Sequence, residues 1–132
     1  MCEPAGEPCP FCHPGAERTF FAGPLVLGLW DGYPVSPGHA LLLPRRHVAT
    51  WFEATEGERR DLLSGIDVAR AAILERHQPD GFNVGMNLGP AAGQTVPHLH
   101  LHVIPRYTGD VKDPRGGIRW VVPERAAYWR KP

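Results

Sequence analysis

The chain has 132 residues, with 14 Lys+Arg against 14 Asp+Glu, a formal net charge of zero and 42% hydrophobic residues. That length and composition suit a single domain with its own core. Balanced charge argues against broad attraction to nucleic acid or membrane surfaces, and no apolar run approaches the ~18–20 residues of a membrane span.

The N-terminal stretch, residues 1–17, is rich in Pro and Gly and holds Cys2, Cys9 and Cys12. It has neither the basic n-region nor the apolar h-region of a signal peptide, so a cytoplasmic location is expected. The pair Cys9-Pro10-Phe11-Cys12 reads as a metal or redox pair before a disulfide framework. Phe20–Phe21 begins a short strand. Leu25–Trp30 is an apolar run of strand length, closed by Asp31-Gly32 and the Pro34…Pro37-Gly38 turn cluster, and His39–Leu43 is a second strand pairing with it. Thr55-Glu56-Gly57-Glu58 fits a capping box at the start of the one convincing helix. There Leu62, Leu63, Ile66, Ala69, Ile73 and Leu74 trace an apolar stripe. Pro79-Asp80-Gly81 ends it, Phe82–Asn87 is a third strand, and Gly89–Gly93 is a flexible loop leading to Gln94. A Gly/Pro-rich stretch, the short apolar run Ile118–Val122 and a tail with Tyr128 and Trp129 complete the chain. Strands flanking one long helix through short links indicate an α+β fold with an antiparallel sheet.

Three of the seven histidines, His98, His100 and His102, alternate with Leu99, Leu101 and Val103 in PHLHLHVIPR. On a strand the imidazoles share one face and the aliphatic residues the other. One metal does not explain all three: at ~3.3 Å rise per residue the outer Cα atoms lie roughly 13 Å apart, whereas Zn–N bonds are only about 2.0–2.1 Å. The roles are therefore divided.

The segment Gly93–Arg106 resembles the signature of the histidine triad (HIT) family, His-φ-His-φ-His-φ-φ. Upstream, Asp31–His47, with its Pro37-Gly38-His39 turn into a strand, and Gly81–Asn87 resemble that family's earlier blocks, so that the resemblance spans most of residues 9–108. It implies a single HIT domain over residues 1–132, comprising an N-terminal knuckle at 9–12, a triad strand at 98–104 and a C-terminal extension at 107–132. The implied fold is an antiparallel sheet of about five strands with one long and one short helix, in a family that commonly dimerises.

The resemblance implies cleavage of dinucleoside polyphosphates at the α-phosphate through a covalent nucleotidyl-histidine, with His100 the nucleophile. His102, Gln94 and Asn87 match positions that contact phosphate or leaving-group oxygen. Asp31 matches a ribose-binding position, with Leu29 or Trp30 walling the base. His39 and Asn83 support the triad from behind. In one branch the CxxC pair joins two histidines, here His47 and His98, around a structural zinc, with no organic cofactor; His13 and Cys2 are then bystanders. Arg106–Val111 resembles a segment of the dinucleoside-polyphosphate hydrolases, and Arg115 or Arg119 is expected to meet distal phosphates. Trp129 is a candidate to reach a partner subunit. A phosphoramidase or a phosphorylase of the same family, and a zinc-stabilised nucleotide sensor without turnover, are the alternatives.

Overall fold

The computed structural model describes residues 9–130. Five strands form one antiparallel sheet: β1 (Thr19–Ala22), β2 (Val26–Trp30), β3 (Ala40–Pro44), β4 (Gly81–Gly85) and β5 (Leu101–Arg106), in the spatial order β1-β2-β3-β5-β4. The long helix α1 (Glu56–Leu74) follows β3, and the short helix α2 (Pro123–Ala126) lies near the C-terminus. No helix among the described residues is long and apolar enough to cross a membrane.

The capping box forms as its sequence predicts. Glu58 N–H donates to Thr55 Oγ1 (3.1 Å), and Thr55 N–H donates to Glu58 Oε1 (2.8 Å). Glu58 also accepts two hydrogen bonds from Arg46 (2.9 and 3.1 Å), which hold its carboxyl below the usual carboxylate range even though it is buried. The apolar stripe of α1 is narrower than predicted. Leu62, Gly65, Ala69 and Ile73 are buried, but Leu63 and Leu74 are exposed because each lies one residue, about 100°, off that line. Gly65 sits where α1 crosses β3: a Cβ there would come within 3.1 Å of Leu42 Cδ2, so the glycine permits the close approach.

The sheet has two different faces. Val26, Ala40, Leu42, Leu101 and Val103 join Leu62, Ala69 and Ile73 in the core beneath α1. On the opposite face Leu29, Leu41 and Leu43 pack with Phe11, which arrives from the cysteine knuckle. Period-2 alternation puts the histidines on that second face. The triad segment departs from a strand over 98–104 in one respect: the ladder begins only at Leu101. Residues 98–100 peel away because Leu99 N–H donates to Val48 O (2.7 Å) and the His98 ring bonds Pro44 O (2.8 Å), drawing them toward the loop after β3.

Candidate active site

His100 is fixed by its own backbone. Its Nδ1 lies 2.8 Å from the carbonyl oxygen of His98, and a carbonyl only accepts, so the ring carries its proton on Nδ1. Nε2 then bears the lone pair and takes no hydrogen-bond partner among the described residues. The residue is 8% exposed, with its ring edge-on to Phe11 (centroids 4.9 Å) and to His102 (5.0 Å).

A second chain sets the proton of His102. Val35 N–H donates to His39 Nδ1 (3.1 Å), so neutral His39 carries its proton on Nε2. That N–H faces His102 Nδ1 at 3.0 Å and Asp31 Oδ2 at 3.4 Å. His102 Nδ1 is thereby an acceptor, and its own proton sits on Nε2. Burial is the main cause lowering both rings' pKa values; neighbouring imidazoles add to the effect and Asp31 opposes it, leaving His102 at about 4 against its ordinary 6.5. Around neutral pH His102 thus offers a donor beside the acceptor of His100.

His98 points the other way. Cys9, Cys12, His47 and His98 place their ligand atoms within 4.8 Å of one another, a group able to hold a metal ion. Cys9 Sγ lies 3.4 Å and Cys12 Sγ 3.7 Å from His98 Nδ1, and Cys12 Sγ lies 3.3 Å from His47 Nδ1. The fully buried His98 gives its Nε2 proton to Pro44 O, which turns the Nδ1 lone pair toward the sulfurs. Burial lowers its pKa to about 4. His13 is not among the four, and Cys2 lies outside the described residues.

The HIT domain family model matches residues 16–109. The chain belongs to the HIT domain family. It is 40% identical over 89 residues to an AP-4-A phosphorylase of Mycobacterium tuberculosis, covering 67% of this chain and 46% of the relative. It is 36% identical over 92 residues to a bis(5'-adenosyl)-triphosphatase of Saccharomyces cerevisiae, covering 69% and 45%. The chain thus spans about half the length of these curated relatives. A solved structure of a Zn-bound histidine triad family protein from Mycobacterium smegmatis superposes with a TM-score of 0.69 at 32% identity, covering 80% of this chain and 83% of that one.

Several side chains of this HIT domain stand elsewhere than the sequence predicts. Trp30 does not wall the triad face: alternation along β2 turns it to the helix side, against Phe20 (4.6 Å) and under Arg76 (5.0 Å), while Leu29 takes the triad face. Gln94 has no donor to spare for a phosphate, because both amide hydrogens go to main-chain carbonyls, Ala49 O (2.8 Å) and Val96 O (3.1 Å). Its oxygen accepts Gly89 N–H (2.8 Å), so Gln94 braces the 89–96 loop. Asp31 is bound to Tyr33 N–H (2.7 Å) as well as facing His39, so in this conformation it supports the relay. Asn83 Oδ1 accepts from Arg106 (2.7 Å), and Asn83 and Asn87 line a cavity beside His102.

Neither C-terminal arginine faces the triad. Arg115 pairs with Asp113 (3.0 Å) and lies over Trp129 (4.7 Å), while Arg119 donates to the carbonyls of Arg125 (2.6 Å) and Ala126 (3.1 Å). Trp129 accordingly packs within its own chain. Phe11, packed edge-on to His100, is the residue that sequence reasoning missed; its only signal was an aromatic ring between the two cysteines of the CxxC pair.

The depressed pKa of His102 gives a pH prediction. The unfolded ring takes up a proton below about 6.5 and the folded ring only near 4, so the unfolded state binds more protons in that window. Stability contributed by the neutral ring is full above about pH 6.5 and is lost as pH falls toward 4. Between pH 7 and 5 the native protein should lose about 1–2 kcal/mol more than His102→Asn. Thermal melts of both proteins measure this, and their difference cancels the acid sensitivity of the shared Cys–His cluster. Parallel losses would contradict the assignment.

Proposed function

We propose that this chain cleaves dinucleoside polyphosphates at the α-phosphorus through a covalent nucleotidyl group on His100. The observation that carries the reading is the 2.8 Å bond from His100 Nδ1 to the His98 carbonyl, which leaves Nε2 as the available nucleophile. The names of the two curated relatives, a phosphorylase and a triphosphatase, supply the substrate class. Nε2 attacks the α-phosphorus, a P–N bond forms, and the P–O bond to the leaving nucleotide breaks with its electron pair on that oxygen. The positive charge that develops on the ring is held by the Nδ1–H···O=C bond. His102 Nε2–H donates to a phosphate oxygen as charge builds there. Water or inorganic phosphate then attacks phosphorus, the P–N electrons return to Nε2, and the acceptor's proton passes to solvent. The nucleoside monophosphate, or the diphosphate when phosphate is the acceptor, is released.

This reading assigns a structural zinc to Cys9, Cys12, His47 and His98. A tetrahedral ion with Zn–S about 2.3 Å and Zn–N about 2.0–2.1 Å needs sulfur–nitrogen edges of about 3.6 Å, and three of the four edges are 3.3–3.7 Å, the fourth lying within 4.8 Å. With four protein donors the ion has no open position. It would supply folding energy and cross-linking and take no part in the displacement. Cys12 is disulfide-bonded in this structure and becomes a thiolate ligand only when reduced, which calls for a reducing compartment, so the reading includes a cytoplasmic location. It also includes a homodimer, because β4 forms one outer edge of the sheet.

His100→Ala should lower turnover of diadenosine tetraphosphate by at least about 10³-fold while nucleotide still binds. Quench in denaturing alkali, which preserves a P–N bond, during turnover of α-³²P-labelled substrate should leave label on the wild-type chain and none on the variant. Absence of label on the wild type would remove the covalent step and favour a binding protein.

Protein purified under reducing conditions should carry one zinc per chain by elemental analysis, reduced to background in Cys9→Ser/Cys12→Ser. Chelation should lower the melting temperature by several degrees. A full zinc complement in the double variant would refute the site. Sedimentation equilibrium of the zinc-loaded protein should give twice the chain mass; the mass of one chain would refute the dimer.

A further inference from the structure

The segment expected to bring arginines to the substrate brings aliphatic side chains instead. Beside the triad lies a cavity of about 330 Å³, within the roughly 300–1,000 Å³ range of ligand sites. Its lining includes His39, His102 and Asn87, together with Ile118 and Val121 from the 3₁₀ turn Gly117–Val121, and Val35. The cavity adjoins the triad, since His102 belongs to its lining.

The three aliphatic residues are unusually open: Ile118 is 59%, Val121 75% and Val35 71% exposed. The turn is nevertheless held in place. Arg119 is bound to two carbonyls of the α2 region, and Trp120 Nε1 donates to Arg115 O (2.7 Å). Gly85, the register partner of His102, also lines the cavity, and a Cβ there would stand at ordinary contact distance, 3.8 Å, from Ile118 Cδ1. A fixed, water-exposed aliphatic wall facing a catalytic imidazole is surface that an apolar, planar group gains by covering.

Resting on the covalent reading, we propose that this cavity receives the leaving half of the substrate, a nucleotide whose base lies against Ile118 and Val121. The C-terminal segment then selects substrates by the apolar face of the leaving group and not by phosphate charge. Contacts to a non-reacting base persist from ground state to transition state, so their loss raises KM and leaves kcat unchanged.

The test compares two substrates with the same adenylyl group: diadenosine tetraphosphate, whose leaving group carries a base, and adenosine 5'-phosphorofluoridate, whose leaving group is fluoride. Ile118→Ala/Val121→Ala alters exposed side chains, so its melting temperature should match the wild type. For the tetraphosphate KM should rise about five- to tenfold at constant kcat, from the apolar contact area removed. For the fluoridate kcat/KM should stay within about twofold. Ile118→Leu, which keeps the aliphatic surface, should stay near wild type on both. Equal changes on the two substrates, or no change on either, would overturn the subsite. Wild-type turnover of the fluoridate alone would overturn the subsite and leave the chemistry standing. Turnover of neither substrate would defeat the covalent reading and the subsite with it.

Discussion

The carbonyl oxygen of His98 decides which nitrogen of His100 is free. Imidazole exchanges its proton between two sites in water, and a nucleophile that spends half its time in the wrong tautomer loses reactivity accordingly. A single 2.8 Å hydrogen bond to an acceptor-only group removes that choice. The bond is useful only if the carbonyl itself is fixed. The His98 ring is anchored to Pro44 O on one side and to the cysteine sulfurs on the other, and Leu99 N–H is held by Val48 O. The Cys–His cluster and His100 are therefore one mechanical unit, with His98 and His100 two residues apart, although no side-chain atom of the cluster belongs to His100.

His102 is set by the same logic through a different route. A backbone N–H fixes His39, His39 fixes His102, and Asp31 aligns the middle ring. The two chains end with opposite polarity: a lone pair at His100 and an N–H at His102, on rings 5.0 Å apart. Adjacent identical side chains thus acquire complementary roles from acceptor and donor groups behind them.

Much of this was legible in the chain. Alternation of histidine with Leu99, Leu101 and Val103 fixed the two faces because a period of two has no other reading on a strand, and the Thr55–Glu58 box located the helix start through purely local bonds. What was hidden depended on partners far away in sequence. Leu25–Trp30 is apolar throughout, so it carries no alternation from which the side of Trp30 could be read. The late start of β5 follows from bonds to Pro44 and Val48, some fifty residues away. Gln94 and the two arginines are residue types suited to phosphate, but composition does not reveal that their donors are already committed to nearby carbonyls and a carboxylate.

Those commitments shape the electrostatics of the cleft. Arg106 is held by Asp110, Arg115 by Asp113 and Arg119 by main-chain carbonyls, while burial keeps His39 and His102 neutral. On the covalent reading, a site built this way would meet phosphate through N–H dipoles and not through fixed positive charge. When a phosphate arrives, its own charge favours the protonated form of a neighbouring imidazole. Asp31, 3.4 Å from His39 Nε2, opposes the lowering that burial imposes on His39 and His102. Asp31, which looks like a ribose ligand in the sequence, is in the folded chain bound to Tyr33 N–H and set against His39.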